Sequence, residues 1–507
     1  MIRSVSNHLK VKSFFPISFL GNLARKKRNV IPIPHGTIPE PKGQDLDFVN
    51  VAHSHLIHSD WGKLEKLSSG FTPFRFKHVL LKIKKDYVLS YEFYKWVQLK
   101  NPKFHNLETH SMILHVLTKH RKFKSSQSIM KDILSSRSID LPHKLFEAIL
   151  YSYRLCDSSA LVFDSLFKTH AHMKKFRNAT ATFCHMKDYG FLPTIESCNA
   201  YMSSLHSLNQ EKIALAFYKE IRKNGIMPNV YTMNMVIYAH CKLGSLEKAL
   251  EVFQDMASMG IFPTAASHNI LMSGYCNKGL FTSAVKLKAL MDKNGLKPDS
   301  VTYNTLINGF CKQGKLHDAN KVFSEMKAAR VPPNTVTYNT FINGYSQWGN
   351  SEMGYELYEE MLKDGVKVDI VTYNALILGF CKEGKTKKAA IMVKELDKQN
   401  LAPNSSTYSA LILGQCKRKN SERAFQLYKS MIRNGCYPTS NTFEILISSF
   451  CQNRDFDGAV QVLREMLGRS MAPGPEILSE LCNGLCQNGN EDLAVSLRNE
   501  VEARCRS

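Results

Sequence analysis

Nowhere in its 507 residues does this sequence hold an apolar run approaching the roughly 20 residues that a membrane helix needs, so a soluble chain with no membrane partner is expected. Also missing are a glycine-rich phosphate loop, a His-Glu-x-x-His helix and a nucleophile elbow. Nothing in the sequence supplies a catalytic residue or a cofactor site, and the expectation is a protein that acts by binding. The 13 cysteines are odd in number and accompany no secretory signal, which argues against a disulfide framework. Cys482 and Cys486 stand four apart on one helical face, but no second pair or nearby histidine completes a zinc site, so no metal is expected.

Acidic residues are absent from the first 39 positions, where Arg3, Lys10, Lys12, Arg25, Lys26, Lys27 and Arg28 precede the first carboxylate at Glu40. A basic, serine-containing, acid-free start has the makeup of an organellar transit peptide over residues 1–39. Its apolar part, Phe14 to Leu20, is short and broken by Pro16. Arginine and lysine outnumber serine here, which favours the mitochondrion over the chloroplast, while the Arg25–Arg28 cluster leaves a nuclear signal as an alternative. Residues 31–43 are rich in proline and glycine and read as an extended linker with no fold of its own.

What the chain does have is charge and repetition. Its formal net charge is +23, of which the first 159 residues hold +14 and the remainder +9. A basic balance favours an anionic partner without identifying one.

From residue 160 onward the sequence repeats itself every 35 residues. Val301-Thr-Tyr-Asn-Thr-Leu-Ile-Asn-Gly-Phe-Cys311 returns as Val336-Thr-Tyr-Asn-Thr-Phe-Ile-Asn-Gly-Tyr-Ser346 and again as Val371-Thr-Tyr-Asn-Ala-Leu-Ile-Leu-Gly-Phe-Cys381. Units begin at Ala160, Ile195, Val230, Ala265, Ser300, Thr335, Ile370, Ser405 and Ser440, with a truncated one at Pro475. In six of them, apolar residues at helical spacing run to an in-phase glycine (Gly244, Gly279, Gly314, Gly349, Gly384, Gly489) suited to a left-handed cap. A second helix centred on a small residue (Ala249, Ala284, Ala319, Gly354, Ala389) then ends before a proline-closed loop. One helical hairpin cannot bury both its apolar faces, but a stack can. The expected fold is all-α, a superhelical α-solenoid of 35-residue helix-turn-helix repeats. Residues 107–159 read as degenerate repeats and 40–106 as linker and helical cap. The in-register cysteines at 241, 276, 311, 381, 416, 451 and 486 read as small packing residues.

The run 301–315, with Phe323-Ser-Glu-Met326 and Pro333-Asn334 closing the period, resembles the pentatricopeptide repeat (PPR), in its pure 35-residue form without a terminal editing domain. Tetratricopeptide repeats are also helical hairpins, but their period is 34 residues and their Trp, Gly and Tyr pattern is different. The resemblance implies single-stranded RNA as partner, with each unit facing one base through its fifth residue and its last. It also implies a role in organellar RNA processing, stabilisation, splicing or translation, other RNA-processing proteins as further partners, and a monomer. A helical scaffold for protein partners is the alternative.

Carried onto this chain, the reading pairs are Asn199 with Asn229, Asn234 with Thr264, Asn269 with Asp299, Asn304 with Asn334, Asn339 with Asp369, Asn374 with Asn404, and Ser409 with Thr439. Asp164 with Thr194 and Glu444 with Gly474 flank them. By the same resemblance, Asn with Asp implies uracil and Asn with Asn a pyrimidine. The target then reads from its 5′ end as any base, two pyrimidines, U, pyrimidine, U, pyrimidine, a purine, any base. Tyr231, Val301, Val336 and Val371 would sandwich the bases, and Lys242, Lys312, Lys382 and Lys417 would meet phosphates. Helix capping is the other reading of the asparagines, ordinary core that of the valines, and a solvated charged face that of the lysines.

Overall fold

A computed structural model describes residues 30–34, 36–135 and 141–506; most of the expected leader lies outside the described residues. Every regular element among them is helical. The chain divides into two compact units, 1–263 and 264–507.

The second unit is the regular one. Its first helices are Ala265–Asn277, Ser300–Lys312, Thr335–Gln347, Ile370–Lys382, Ser405–Lys417, Ser440–Gln452 and Pro475–Gln487, each opening on the residue where the sequence period begins. Each is followed by a second helix, as in Leu316–Ala328 after Ser300–Lys312. Between the two, Gly279, Gly314, Gly349, Gly384 and Gly489 take φ between 72° and 82°, the left-handed cap that the glycine phase predicts. Lys419 and Arg454 hold the same position at 57° and 59°, so the stack forces this backbone even where a side chain resists it. The small residues Ala284, Ala319, Ala389, Ala424 and Ala459 are fully buried, as are Met291, Met326, Met361, Met431 and Met466 near the ends of the second helices. Neighbouring second helices are bridged by ion pairs, Lys288 to Glu325 and Lys327 to Glu360.

The cysteine phase also has a packing reason. A Cβ built on Gly344 would lie 2.7 Å from Cys311 Sγ, and one on Gly414 would lie 2.7 Å from Cys381 Sγ. Successive first helices therefore touch where a glycine on one meets a small residue on the previous one. Cys276, Cys311, Cys381 and Cys416 are buried there, whereas Cys241 and Cys451 are half-buried and Cys486 is exposed.

The first unit contains three regular units, opened by Leu161–His172, Ile195–His206 and Val230–Lys242, after a less periodic stretch. Helices Gln44–Ile57, Trp61–Lys66, Pro73–Ile83 and Tyr87–Lys100 enclose an aromatic cluster of Phe71, Phe76, Phe93 and Trp96. Helices Leu107–Lys119, Phe123–Leu134 and Leu141–Ser152 follow. The proline-rich linker has no regular structure, yet it is docked rather than free. The Ile31 N–H donates to the Asp188 carbonyl at 2.9 Å, Ile33 packs on the core, and Thr37 meets the Tyr151 hydroxyl at 3.3 Å.

Candidate nucleic-acid interface

The seven first helices from Val230–Lys242 to Ser440–Gln452 each open on a capping box. Asp369 Oδ1 accepts the N–H groups of Val371 and Thr372 at 3.0 Å, and the Thr372 hydroxyl sits 3.3 Å from the Asp369 N–H in return. Asn229, Asp299, Asn334 and Asn404 cap their helices in the same way, with Thr232, Thr302, Thr337 and Thr407 as partners. Thr264 and Thr439 form boxes with Ser267 and Thr442. The unit-ending residue of every reading pair is thus a helix N-cap, and the capping explanation of these residues holds.

Capping leaves half of each side chain unused. A cap needs an acceptor, so Oδ1 must face the helix. The atom left over is a carboxylate oxygen, Oδ2, in Asp299 and Asp369, and an N–H donor, Nδ2, in Asn229, Asn334 and Asn404. Asp and Asn at one backbone position therefore present opposite hydrogen-bonding character to whatever lies beyond.

The fifth residue reaches that cap from the preceding unit, 30 residues earlier. Asn339 Nδ2 donates to Asp369 Oδ1 at 3.0 Å, Asn374 Nδ2 to Asn404 Oδ1 at 3.1 Å, and Asn199 Nδ2 to Asn229 Oδ1 at 3.2 Å. The capping threonine closes each triangle: Thr372, Thr407 and Thr232 donate to the oxygens of Asn339, Asn374 and Asn199 at 2.6–2.7 Å. Ser409 makes the shorter link, 2.8 Å to the Thr442 hydroxyl. At Asn269 and Asn304 the side-chain oxygen is buried with no hydrogen-bond partner, an arrangement that costs about 1–3 kcal/mol until a donor arrives. The flanking pairs are closed differently. The Thr194 N–H and the Ser197 hydroxyl hold both oxygens of Asp164, at 2.7 and 2.8 Å, and the Gly474 N–H donates to Glu444 at 3.0 Å. Burial raises the Asp164 pKa, against those hydrogen bonds. Burial pushes Asp369 the same way, but there the hydrogen bonds outweigh it and hold the carboxyl below its ordinary value.

In the second unit three of these pairs, Asn339 with Asp369, Asn374 with Asn404 and Ser409 with Thr439, line one trough of about 830 Å³. Val336 and Val371 stand in it at 59% and 54% exposure, and Val301 is 56% exposed. In the first unit Tyr231 is 55% exposed. Ordinary core does not account for these four residues. Lys312 borders an adjoining cleft with Asn308, Asn343 and Gln347. Lys382 donates to Gln347, and burial together with the Lys417 charge lowers its pKa, so the two cations repel one another in the absence of an anion. Lys242 lies 5.6 Å above the Tyr238 ring. Burial pushes the thiols of Cys311, which borders that cleft, and of Cys381 up to about 12, which disfavours their thiolate forms. Among the described residues no group of His, Cys, Asp and Glu could hold a metal ion.

The bridging threonine was not singled out from the sequence, although Thr232, Thr302, Thr337, Thr372, Thr407 and Thr442 recur in phase and are fully buried despite being polar. Nor was Trp348, which enters the cleft beside Lys312.

Models of the PPR repeat family match residues 193–242, 228–277, 265–312, 298–347, 333–377, 368–417 and 410–452, and a PPR repeat model matches 442–471, together more than half of the chain. The chain belongs to the PPR repeat family. A PPR-containing protein of Arabidopsis thaliana, named as mitochondrial, is 66% identical over 191 residues, 38% of this chain and 37% of that one. Another from the same plant, also named as mitochondrial, is 31% identical over 184 residues, 34% of this PPR chain and 24% of its own length. This PPR chain thus spans well under half the length of the curated relatives it matches. Among solved structures, maize PPR10 with an 18-nucleotide psaJ RNA element is 18% identical, with 91% of this chain and 80% of that one covered and a TM-score of 0.39. Yeast Rmd9p with a 16-nucleotide target RNA is 12% identical over 91% of this chain and 89% of that one, at a TM-score of 0.33.

Proposed function

We propose that this PPR chain binds single-stranded RNA by sequence, one base to each pair, and acts by occupying the strand rather than by chemistry on it. The observation that carries this reading is the trough itself. Each unit-ending Asn or Asp, at 229, 299, 334, 369 and 404, spends one polar atom on a helix cap and keeps the other, while exposed valines stand between successive pairs. Aliphatic side chains left in water at such spacing suit flat bases, and asparagine oxygens buried without partners suit base N–H donors.

The hydrogen-bonding logic assigns the bases. Uracil offers an N–H at N3, which Oδ2 of Asp299 or Asp369 accepts. Cytosine offers a bare N3, to which Nδ2 of Asn229, Asn334 or Asn404 donates. The favoured target is pyrimidine-rich: any base, two pyrimidines, U, pyrimidine, U, pyrimidine, purine, any base. At the flanks, Asp164 and Glu444 already hold backbone N–H groups, which fits the absence of a preference there. Lys242, Lys312, Lys382 and Lys417 balance the phosphates.

We place its work in the mitochondrion, on the basic, acid-free start and on the names of its Arabidopsis relatives, with RNA processing or stabilisation as the consequence of occupancy. Residues 1–39 would be the leader, 40–106 linker and helical cap, 107–159 degenerate repeats, and 160–507 the regular repeats.

The test is binding of the full chain at about 150 mM salt to a nine-nucleotide RNA of that order, beside one with purines exchanged for its pyrimidines. A preference of at least tenfold for the first is expected, moving from C toward U at the fifth base in Asn334→Asp. Equal weak binding of both RNAs would overturn base reading and leave the protein-scaffold reading in its place.

A further inference from the structure

Trp348 is the residue that the reading pairs leave unexplained. It caps the helix Thr335–Gln347, where no other regular unit carries an aromatic residue, as Gln313 and Glu383 on either side show. A large aromatic at a helix end is ordinarily covered, yet this one is 55% exposed. It is not loose. Its indole N–H donates to the Cys311 carbonyl at 2.7 Å, and one flank leans on Gly314, where a Cβ would come within 3.0 Å of the ring. The ring is thus fixed in place with much of its surface in solvent.

It fronts a cleft of about 330 Å³ between the helices Ser300–Lys312 and Thr335–Gln347. The other walls are Asn308, Asn343 and Gln347, which carry amide donors and acceptors, and Lys312, a cation. Asn308, Thr340 and Asn343 line both this cleft and the reading trough, so the two are continuous. The counterpart between the helices Ser440–Gln452 and Pro475–Gln487 has Asn488 in place of the tryptophan and Gln452 in place of the lysine; its ring and cation, Phe456 and Arg454, come from other positions, and the carboxylate of Glu480 stands among them. A fixed aromatic face, amides at its edge and a cation beside it are the elements of a nucleobase stacking site.

We propose that the Trp348 cleft takes one nucleobase of the bound RNA that no reading pair holds, looped out between the bases facing Asn304–Asn334 and Asn339–Asp369. The two helices that form the cleft carry Asn304 and Asn339, the first member of each of those pairs. Asn308 and Asn343 lie one helical turn, about 6 Å, beyond Asn304 and Asn339. A nucleotide whose neighbours stay in the trough can turn its base toward Trp348 with its phosphate near Lys312. Stacking tolerates any base, so this position would relax the one-base-per-unit count without adding a letter to the target.

The inference rests on the RNA-binding reading, and its test separates the two. The full chain is titrated with the nine-nucleotide RNA, with the same RNA carrying one extra nucleotide between its fifth and sixth bases, and with one carrying the insertion between the seventh and eighth. The first insertion is expected to cost less than threefold in affinity and the second more than tenfold. In Trp348→Ala the first insertion becomes as costly as the second, whereas Trp348→Phe, which keeps a ring but loses the indole N–H, retains most of the tolerance. Trp61 and Trp96 are the other tryptophans, so fluorescence quenched by the inserted RNA in the native chain and absent in Trp348→Phe reports the stack directly. Equal penalties for both insertions with no Trp348 quenching overturn this proposal while base reading stands. A native chain that binds the uninserted RNA no better than its purine version fails the underlying reading instead. A tryptophan that only staples its helix to Cys311 would lower the melting temperature in Trp348→Ala and leave both insertion penalties unchanged, which also overturns it.

Discussion

The two units solve the same packing problem in different ways. In the second, successive first helices meet through glycine against a small side chain, and the core residues of one unit are nearly those of the next. In the first, before residue 160, the core is built from aromatic rings and histidines that recur at no fixed period. All but His268 and His317 of the 18 histidines precede Thr264. Burial holds His105, His110, His115 and His170 down to about 4. Repetition gives a stack whose stability is spread evenly, while the aperiodic unit gathers its stability into a few buried groups and inherits their titration.

Acid should break the symmetry most. A histidine whose folded pKa is depressed stays neutral in the native state while the unfolded chain takes up a proton below 6.5. Its contribution is therefore complete above that pH and is lost as pH falls toward 4. Thermal unfolding followed by circular dichroism at pH 7 and pH 5 should show a transition that falls by about 10 °C and is absent from a fragment-resolved hydrogen-exchange signal of residues 264–507. Uniform loss across both units would mean that the histidines are not what separates them.

A second break targets the regular stack. Gly344→Val places atoms within 2.7 Å of Cys311 Sγ and should cost about 3 kcal/mol in chemical denaturation. The same change at Gly349, with nothing within 4 Å of a Cβ but a φ of 73°, should cost about 1–2 kcal/mol from backbone strain alone. Thr372→Val, which removes the donor to Asn339 and leaves volume unchanged, should cost about 1 kcal/mol and weaken discrimination at the sixth base, read by competition binding. Smallest is Arg330→Gly. Arg330 holds φ 57° where Gly295 and Gly365 occupy the same phase, so the substitution should stabilise by roughly 0.5–1 kcal/mol.

The period made most of the second unit legible. Helix starts, left-handed glycines and buried alanines all follow from a phase that can be set on residues 300–381, whereas the assignment of reading pairs came from the family resemblance. What the period could not decide was which face of a first helix meets water. Val301 and Thr302 recur side by side in the same phase, and by polarity alone the valine is the one to bury. The placement of the neighbouring helix reverses that order: the structure leaves Val301 exposed and buries Thr302 completely. The threonine bridge escaped notice because a hydroxyl in a Thr-Tyr-Asn run carries no sign of a partner 33 residues away. The aromatic core before residue 107 and the docking of Ile31 and Thr37 were illegible for a simpler reason, since contacts that occur once leave no pattern to count.

The double duty of the unit-ending residue limits how such a chain can change its target. Only Asn, Asp, Ser, Thr and Gly open a helix well, so on the proposed reading the alphabet available for recognition is the alphabet of N-caps. On that reading, an exchange between Asn and Asp at 334 or 369 would retune a base while the helix keeps its start, and selection could move along that edge without passing through an unstable intermediate. A change to leucine at either position would lose the base and the fold together. Evolution of specificity in this architecture is then a walk among a handful of residues that folding has already approved.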